Sequence, residues 1–289
     1  MCGRISDWIG RFRTVELPIG FGSSLQDIQF LLILVELLPK NWSSFFNNRT
    51  ETRKMLDPIY FVFIAPGLLL SLYASYLVKS RFQHYSHVAS VRGITGARAA
   101  QMLLDRAGIR DVQVVRVDGF LSDHYDPANK RLALSPPVHD SHSVAAIGVA
   151  THEAGHAIQH ATRYYPLAMR SALVPIVQFG SPISMYALMI GLGLMAAGSA
   201  FGKVVFIVGI VLFGGMLLFQ LVTLPVEFNA SARAKALVLE AGIISPAERE
   251  GVDKVLNAAA LTYVAAFVQT LLTLLYFLWR SGLLSGRRD

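Results

Sequence analysis

The sequence predicts a mainly α-helical integral membrane protein, with about four transmembrane helices and a small α+β domain outside the bilayer. Three observations lead to this prediction. The 289-residue chain is 53% hydrophobic and only 16% charged, which is too apolar for an ordinary soluble domain. The apolar residues are clustered in long runs. Between the first two runs that are long enough to span a membrane lies a more polar segment with both strand-like and helix-like patterns.

Composition also limits the partners and the kind of metal site. Cys2 is the single cysteine, which excludes a disulfide framework and a cysteine-based zinc site, so any metal must use histidine and carboxylate. The formal net charge is +7, but lysine and arginine are scattered along the chain rather than gathered in a stripe. We therefore expect contact with the anionic headgroups of a lipid bilayer and no nucleic-acid partner. No pattern predicts an oligomeric state.

Residues 1–54 differ in character from the rest and are interpreted as an N-terminal extension. Their apolar run, residues 30–38, is broken by Glu36 and closed by Pro39, which makes it too short to span a bilayer. No small-residue cleavage site follows it, so a secretory signal peptide is not predicted. Because the character of the sequence changes at Met55, we expect the extension to be dispensable.

The first transmembrane helix is predicted within residues 55–80. Residues 59–78 contain no charge and, as a helix of about 30 Å, would cross the hydrocarbon core. Pro66 is tolerable in a helix surrounded by lipid and neighbouring helices. Lys79 and Arg81 follow at once and are typical of an interfacial anchor.

Residues 81–170 form the first portion outside the membrane, which we interpret as the catalytic part. Thr95 is a suitable N-cap for a helix over residues 97–107. The β-branched residues of 112–117 predict a strand. Residues 121–135 predict a β-hairpin, because an Asp-Pro-Ala-Asn turn separates two strand-like stretches.

The next predicted helix carries the strongest motif of the chain. Its N-cap is Ser143, and Pro166 prevents its continuation. Within it, His152, Glu153 and His156 form an H-E-x-x-H motif. Positions four apart lie on one helix face, about 6 Å apart along the axis, so both imidazoles can bind one zinc ion. The glutamate, one step round the helix, is placed to take a proton from a zinc-bound water whose pKa is lowered to roughly 7.

The remaining chain predicts three further spans. Residues 171–225 form a transmembrane hairpin, in which apolar stretches at 172–200 and 204–224 flank a short turn at residues 202–203. The chain therefore returns to the side that it left. Residues 226–259 make up the second portion on that side.

A second helix start is predicted in this returning portion. The S-P-A-E sequence at residues 245–248 is typical of a capping box with proline at the first helical position. The helix that it begins leads into a fourth span at residues 261–279. That span lies within a C-terminal segment, residues 260–289, which ends in a short basic tail.

Two histidines leave one protein ligand of the metal unassigned. The topology restricts the choice to residues 82–170 and 225–259. Glu227 stands out, because it directly follows the third span and Ser231 lies one turn further on the same helix face. His160 is not expected to bind the ion, because it lies about 12 Å along the axis from the first histidine of the motif. The other candidates on this side are less well placed: Asp140, His142, Glu240, Glu248 and Glu250.

With these motifs, the sequence resembles the YugP-like membrane zinc metallopeptidases, and more distantly the HtpX-type proteases. The resemblance runs from residue 55 nearly to the C-terminus. It depends on the H-E-x-x-H helix and on four short motifs: D-P at residues 57–58, L-S-D-H-Y-D-P at 121–127, S-V-A-A at 143–146 and P-V-E-F at 225–228.

The resemblance implies a zincin-like domain and a zinc-dependent endopeptidase of gluzincin type, with one Zn²⁺ per chain. It implies His152 and His156 as ligands, Glu227 as the third ligand and Glu153 as the catalytic base. HtpX-type enzymes usually carry an aspartate four residues after the third ligand, where this chain has Ser231. A hydroxyl can hydrogen-bond a ligating histidine, but it does not supply the carboxylate that raises imidazole basicity.

Four further side chains are candidates for the cleft. His124 and Tyr125 could line it beside the predicted hairpin turn, although a hydrogen bond that stabilises the hairpin explains His124 equally well. Arg233 and Tyr164 are, with Tyr125, the candidates for stabilising the oxyanion of the reaction.

We interpret the chain as a multi-pass cell-membrane endopeptidase that acts on polypeptides. Glu227 lies only a few residues beyond the bilayer core, so we expect membrane-associated substrates. We also expect residues 130–134 to be an edge strand that pairs with an extended substrate. The alternative is a non-enzymatic membrane scaffold, or a metal-responsive protein, that retains a zincin fold.

The distribution of basic residues predicts that the catalytic domain faces the cytoplasm. Six of them lie near membrane ends on the catalytic side: Lys79, Arg81, Arg163, Arg170, Arg233 and Lys235. The far end of the hairpin has Lys203. The basic residues that follow the fourth span favour the opposite orientation: Arg280, Arg287 and Arg288.

Overall fold

The computed structural model describes residues 58–119 and 122–282, so the predictions on residues 1–54 lie outside the described part of the chain. In chain order, the described elements are α1 (Pro58–Ser86), α2 (Gly96–Arg106), β1 (Gln113–Arg116), β2 (His124–Asp126), β3 (Arg131–Leu134), α3 (Pro136–His139), α4 (Val144–Ala161), α5 (Tyr165–Ala196), α6 (Ala200–Glu240) and α7 (Arg249–Arg280).

The fold is that of a mainly α-helical membrane protein with a small α+β part, as predicted. By length and composition, α1, α5, α6 and α7 are long and apolar enough to cross a membrane. Helix α5 packs along α6, α1 packs along α7, and α6 contacts α7. Buried aromatic and aliphatic side chains join these helices: Leu188, Phe206, Phe213, Tyr276 and Phe277.

Glycines allow α5 and α6 to approach each other closely. A Cβ atom added to Gly191 would lie 2.5 Å from the backbone nitrogen of Phe206, and one added to Gly209 would lie 2.8 Å from that of Leu188. Small residues at such crossings let helix backbones meet inside a membrane, where burial from water contributes little. The predicted hairpin is therefore a tightly packed helix pair.

The turn of this hairpin lies earlier than predicted. The placement at residues 202–203 is wrong, because Gly202 is already helical. Helix α5 is capped by Ala197, and Gly198 adopts a φ of +78°, the left-handed conformation that glycine accepts without steric cost. Gly202 instead packs against the backbone nitrogen of Met195, at 2.5 Å from an added Cβ.

The three strands form one sheet in the order β1-β3-β2. The predicted hairpin is present, since β2 pairs with β3 in antiparallel fashion, and Asp126 Oδ1 accepts the Ala128 N–H in its turn at 2.9 Å. The prediction that residues 130–134 form an edge strand is wrong. Strand β1 pairs in parallel with the other side of β3 and makes it the central strand. The edges are β1 and β2.

Helix α4, which carries the H-E-x-x-H motif, is central to the domain outside the membrane. Ser143 caps it as predicted, its Oγ accepting the N–H of Ala146 at 3.2 Å. Thirteen residues of the helix are buried, and α2, α6 and α7 pack around it. Burial on several sides fixes the rotation of α4, and with it the direction of its histidines.

Helix α6 is continuous over 41 residues and contains Pro225 in its interior. The predicted boundary between the hairpin and the portion from residue 226 onward therefore falls inside one helix. Helix α7 begins at Arg249, three residues later than the capping box predicted. Residues 246–248 form a turn, in which the Glu248 carboxylate accepts the N–H groups of Ser245, at 2.6 Å, and Val91, at 2.9 Å.

Candidate metal centre

Two helices bring three metal-ligating side chains together. Helix α4 presents His152 and His156, and α6 presents Glu227, whose Oε2 lies 3.2 Å from Nε2 of His152 and 3.5 Å from Nε2 of His156. The three ligand atoms all lie within 4.8 Å of one another. The side chains are 13%, 9% and 2% exposed respectively, so the centre is sheltered at the contact of the two helices.

The spacing fits a zinc ion. Nitrogen and oxygen ligands at 2.0–2.2 Å in tetrahedral geometry are roughly 3.3–3.5 Å apart, which matches the separations of the carboxylate oxygen from both ring nitrogens. Two imidazoles and one carboxylate are also a donor set that zinc uses in catalytic sites, where a fourth position stays open. The three side chains could therefore hold the ion with little rearrangement.

A glycine inside the motif brings the two helices close enough. A Cβ atom added to Gly155 would lie 2.7 Å from the carbonyl oxygen of Ala230 on α6. Such a contact is shorter than a side chain allows, so the backbones of α4 and α6 meet at this point only because the residue is glycine. Glu227, one turn before Ala230, is thereby delivered to the histidines.

Each histidine is oriented by a neutral polar side chain. Ser231 Oγ, on α6, lies 3.1 Å from Nδ1 of His152, and Gln159 Oε1 lies 3.0 Å from Nδ1 of His156. An amide oxygen only accepts, so Nδ1 of His156 carries the proton and its Nε2 lone pair faces the centre. Ser231, predicted as a support for a ligand, is in the expected place.

Comparison with known proteins agrees with this geometry. The sequence profile of a family described as "Putative neutral zinc metallopeptidase" matches residues 60–282, which is most of the chain. The chain belongs to this family. It is also 46% identical over 220 residues to "Putative membrane protease YugP" of Bacillus subtilis (strain 168), covering 75% of this chain and 94% of that protein. No solved structure matches.

Membership of this zinc metallopeptidase family confirms the resemblance inferred from the sequence motifs and implies zinc as the metal. Within the part of the chain that the structure describes, the matched region includes both helices that carry the candidate ligands and nearly all of the four helices that are long and apolar enough to cross a membrane. Together, the family and these helices identify the chain as a membrane protein with a candidate zinc centre formed by His152, His156 and Glu227.

Gln159 is a residue of the candidate metal centre that was not predicted from the sequence. It is fully buried, and its Nε2 donates to the carbonyl of Val226 at 2.8 Å and to Oδ1 of Asn229 at 3.0 Å. Arg233 Nε donates to the same Asn229 oxygen at 2.8 Å, so the predicted cleft arginine belongs to this network. The available signal was an uncharged polar residue three positions after His156, which places it on the same side of the helix.

Arg170, on α5, is the second residue that was missed. Its Nη1 donates to Oε1 of Glu227 at 2.9 Å. From the sequence alone, this arginine is interpreted only as a positive charge near a membrane end. No sequence spacing links α5 to a side chain on α6, because that contact arises only when the helix hairpin folds.

Glu153 is half-buried beside the centre, on the helix step after His152. A second carboxyl group faces this region from the start of β2. Burial, with a further contribution from the charge of Glu153, raises the pKa of Asp123 to about 6. The Asp123 Oδ1 atom accepts the backbone N–H of Ser135 at 2.8 Å and its hydroxyl at 3.0 Å. These bonds hold the start of β2 near the proposed base.

The remaining predicted cleft residues contact other groups. Nδ1 of His124 lies 2.8 Å from the carbonyl of Ser122, which is the local hydrogen bond considered as the alternative. The hydroxyl of Tyr125 lies 2.8 Å from Nδ1 of His160, which is one helix turn beyond His156. Burial raises the pKa of this tyrosine to about 12. Both rings line a cavity of about 200 Å³. Tyr164 donates to the carbonyl of Pro225 at 3.5 Å.

Proposed function

We propose that this protein is a membrane-embedded zinc endopeptidase that hydrolyses peptide bonds, with Glu153 as the general base. One observation carries the proposal. One carboxylate oxygen lies 3.2 and 3.5 Å from two Nε2 atoms, separations that suit a tetrahedral zinc site, and Glu153 occupies the adjacent helix position. Family membership supports zinc-dependent proteolysis.

The residues of the chain have separate roles in this reaction. His152 and His156, both neutral, and the Glu227 carboxylate would hold the ion at the contact of α4 and α6. When bound, zinc supplies Lewis-acid chemistry, which polarises the scissile carbonyl and acidifies a water to near neutral pH. Glu153 takes the proton from the attacking water and returns it to the departing amine, so no covalent enzyme intermediate is needed.

We propose membrane proteins and their juxtamembrane segments as the substrates. Glu227 belongs to a helix that is apolar enough to cross the membrane, and α5 enters its own apolar stretch soon after α4 ends. The centre therefore lies near the level of the lipid headgroups. Strand β2 is an edge of the sheet and begins at the Asp123 end, near Glu153, so an extended peptide could add to it.

Substitution of the base tests the proposal. We expect Glu153→Gln to keep stoichiometric zinc and to lose peptide cleavage by at least about 10² to 10⁴, since a positioned general base contributes that much. The matched control is Glu240→Gln, at the C-terminal end of α6, which should keep both properties. Metal analysis and a peptide-cleavage assay on purified full-length proteins provide the measurements.

The outcomes separate the proposal from its alternative. Cleavage by a zinc-loaded Glu153→Gln variant at the wild-type rate contradicts the assignment of the base. A wild-type protein that binds zinc and cleaves neither peptides nor membrane proteins supports a metal-binding scaffold instead. A comparison of the proteomes of cells with wild-type protein and with Glu153→Gln then identifies the substrates.

A further inference from the structure

The third ligand of the centre uses both of its carboxylate oxygens. Oε2 of Glu227 faces the two Nε2 atoms, whereas Oε1 accepts a hydrogen bond from Arg170 at 2.9 Å. The glutamate side chain is 2% exposed and that of the arginine 18%. The two oxygens of one buried carboxylate thus have two different partners, on two different helices.

Arg170 reduces the net negative charge of the candidate metal centre, because it forms an ion pair with Glu227. Among the described residues, the charged neighbours of the centre are Glu153 from α4, Glu227 from α6 and Arg170 from α5. The Asp123 carboxyl group, at the start of β2, lies beside Glu153. A buried carboxylate without a counter-charge is costly, and a guanidinium at hydrogen-bond distance offsets its charge. With the neutral partners Gln159 and Ser231 on the histidines, the other ligands gain no negative charge from their supports.

We propose that Arg170 is a positioning residue for the metal, which restricts Glu227 to a single metal-facing oxygen. The proposal rests on the proposed function and names a residue that acts through the third ligand. By occupying Oε1, the guanidinium keeps the carboxylate from binding the ion with both oxygens. It also holds the carboxylate in the orientation that directs Oε2 at the two Nε2 atoms. A fourth position on a bound ion would then stay open for substrate and water, as in catalytic zinc sites generally.

The position of Arg170 also makes the centre depend on the membrane hairpin. The arginine lies in the first two turns of α5, and Glu227 lies on α6 after the apolar part of that helix. The ion pair therefore forms only when both arms of the hairpin are packed together. A plain structural clamp would explain the ion pair without any effect on the metal, so the test needs a readout at the metal itself.

The experiment uses the full chain in detergent, with wild type and three variants: Arg170→Gln, Arg170→Lys and Arg163→Gln. The last variant is the matched control, since it removes one positive charge from an exposed side chain in the turn between α4 and α5. Zinc affinity is measured by competition with a chromophoric chelator. The electronic absorption spectrum after Co²⁺ substitution reports the coordination number. Far-UV circular dichroism monitors folding.

We expect Arg170→Gln to bind zinc about 10–100-fold more weakly than wild type, as loss of a partner of a metal ligand generally does. Its Co²⁺ bands should weaken, because the freed second oxygen raises the coordination number. Arg170→Lys should recover part of the affinity, since its ammonium group can still donate a hydrogen bond to Oε1 but lacks the planar fork. Arg163→Gln should match wild type in all three measurements.

Two results overturn the proposal. One is an Arg170→Gln variant that binds zinc within twofold of wild type and has an unchanged Co²⁺ spectrum. The other is loss of helical structure in both Arg170 variants, which would make the arginine a structural clamp. Failure of the proposed function looks different: wild type itself then binds no zinc, or binds it and cleaves nothing, whatever Arg170 does.

Discussion

Each of the three candidate ligands is held by a different neighbour, and Glu227 is the most deeply buried of the three. Glu227 is supported by an arginine from another helix, whereas the two histidines are supported by a hydroxyl and an amide. Loss of the glutamate removes a donor atom as well as one of the contacts between α4 and α6. Its substitution is therefore the most sensitive test of the ligand set.

We predict that Glu227→Ala purifies without stoichiometric zinc. Removal of a ligand should reduce metal affinity by far more than the 10–100-fold typical of a lost supporting hydrogen bond. Metal analysis of the purified protein provides the measurement, and Glu240→Ala, at the end of the same helix, is the control that should retain zinc. A Glu227→Ala protein that holds zinc as tightly as wild type and cleaves peptides would place the third ligand elsewhere.

At the residue scale, the sequence could predict the side chains whose relation is local. His152, Glu153 and His156 follow from helix periodicity, and Glu227 was found because it comes directly after an apolar span. Arg170 and Gln159 were not found. Their partners lie on other helices, and a contact between helices depends on rotation and depth, which no sequence spacing records.

At the scale of elements, the close approach of α4 and α6 decides whether the centre forms. We predict that Gly155→Ala separates the two helices and weakens zinc binding at least tenfold, because its Cβ would lie 2.7 Å from the Ala230 carbonyl oxygen. Forcing extra atoms into a packed contact typically costs about 1–3 kcal/mol. The affinity for zinc and the thermal midpoint of unfolding provide the measurements.

Gly148→Ala is the control for this prediction. It lies on the same helix, but a Cβ there would meet Val252 at 3.7 Å, an ordinary van der Waals contact. Alanine also favours the helix by about 1 kcal/mol over glycine. Gly148→Ala should therefore retain zinc and unfold at the same or a higher temperature. Equal behaviour of the two variants would show that the helix contact at Gly155 is not limiting.

Elements were predicted well where a local signal marks their ends and poorly where pairing is not local. Thr95 and Ser143 cap α2 and α4 as expected, because each hydroxyl accepts an N–H three residues along. The central position of β3 was missed, because β1 pairs with it in parallel although β2 lies between the two strands in the sequence. The helix hairpin turn was misplaced because two glycines, Gly198 and Gly202, could each form it. Only Gly198 has a positive φ, and the sequence does not show which glycine adopts that conformation.

At the scale of the whole molecule, most basic residues near membrane ends predict which side of the membrane the candidate metal centre faces. We predict that the centre is cytoplasmic and that the α5–α6 turn is external. A Lys203→Cys variant on a Cys2→Ser background should react with a membrane-impermeant thiol reagent in intact cells. Resistance of position 203, with labelling after the cells are lysed, would reverse the orientation.

We also predict that residues 55–289 alone insert into the membrane and bind zinc. The family match begins at residue 60, and all three candidate ligands lie beyond it. Expression of this fragment beside the full chain, followed by membrane fractionation and metal analysis, checks the prediction. Failure of the fragment to insert or to bind zinc, while the full chain does both, would assign residues 1–54 a necessary role.

The continuity of α6 has a mechanical consequence. One helix of 41 residues carries the apolar stretch and, without a break, the third candidate ligand. A transmembrane helix responds to a change in bilayer thickness by tilting, and a rigid helix transmits that tilt along its whole length. The carboxylate of Glu227 then moves relative to the two imidazoles on α4, which lies outside the bilayer. Hydrocarbon thickness would thereby act on the distances between the three candidate ligands.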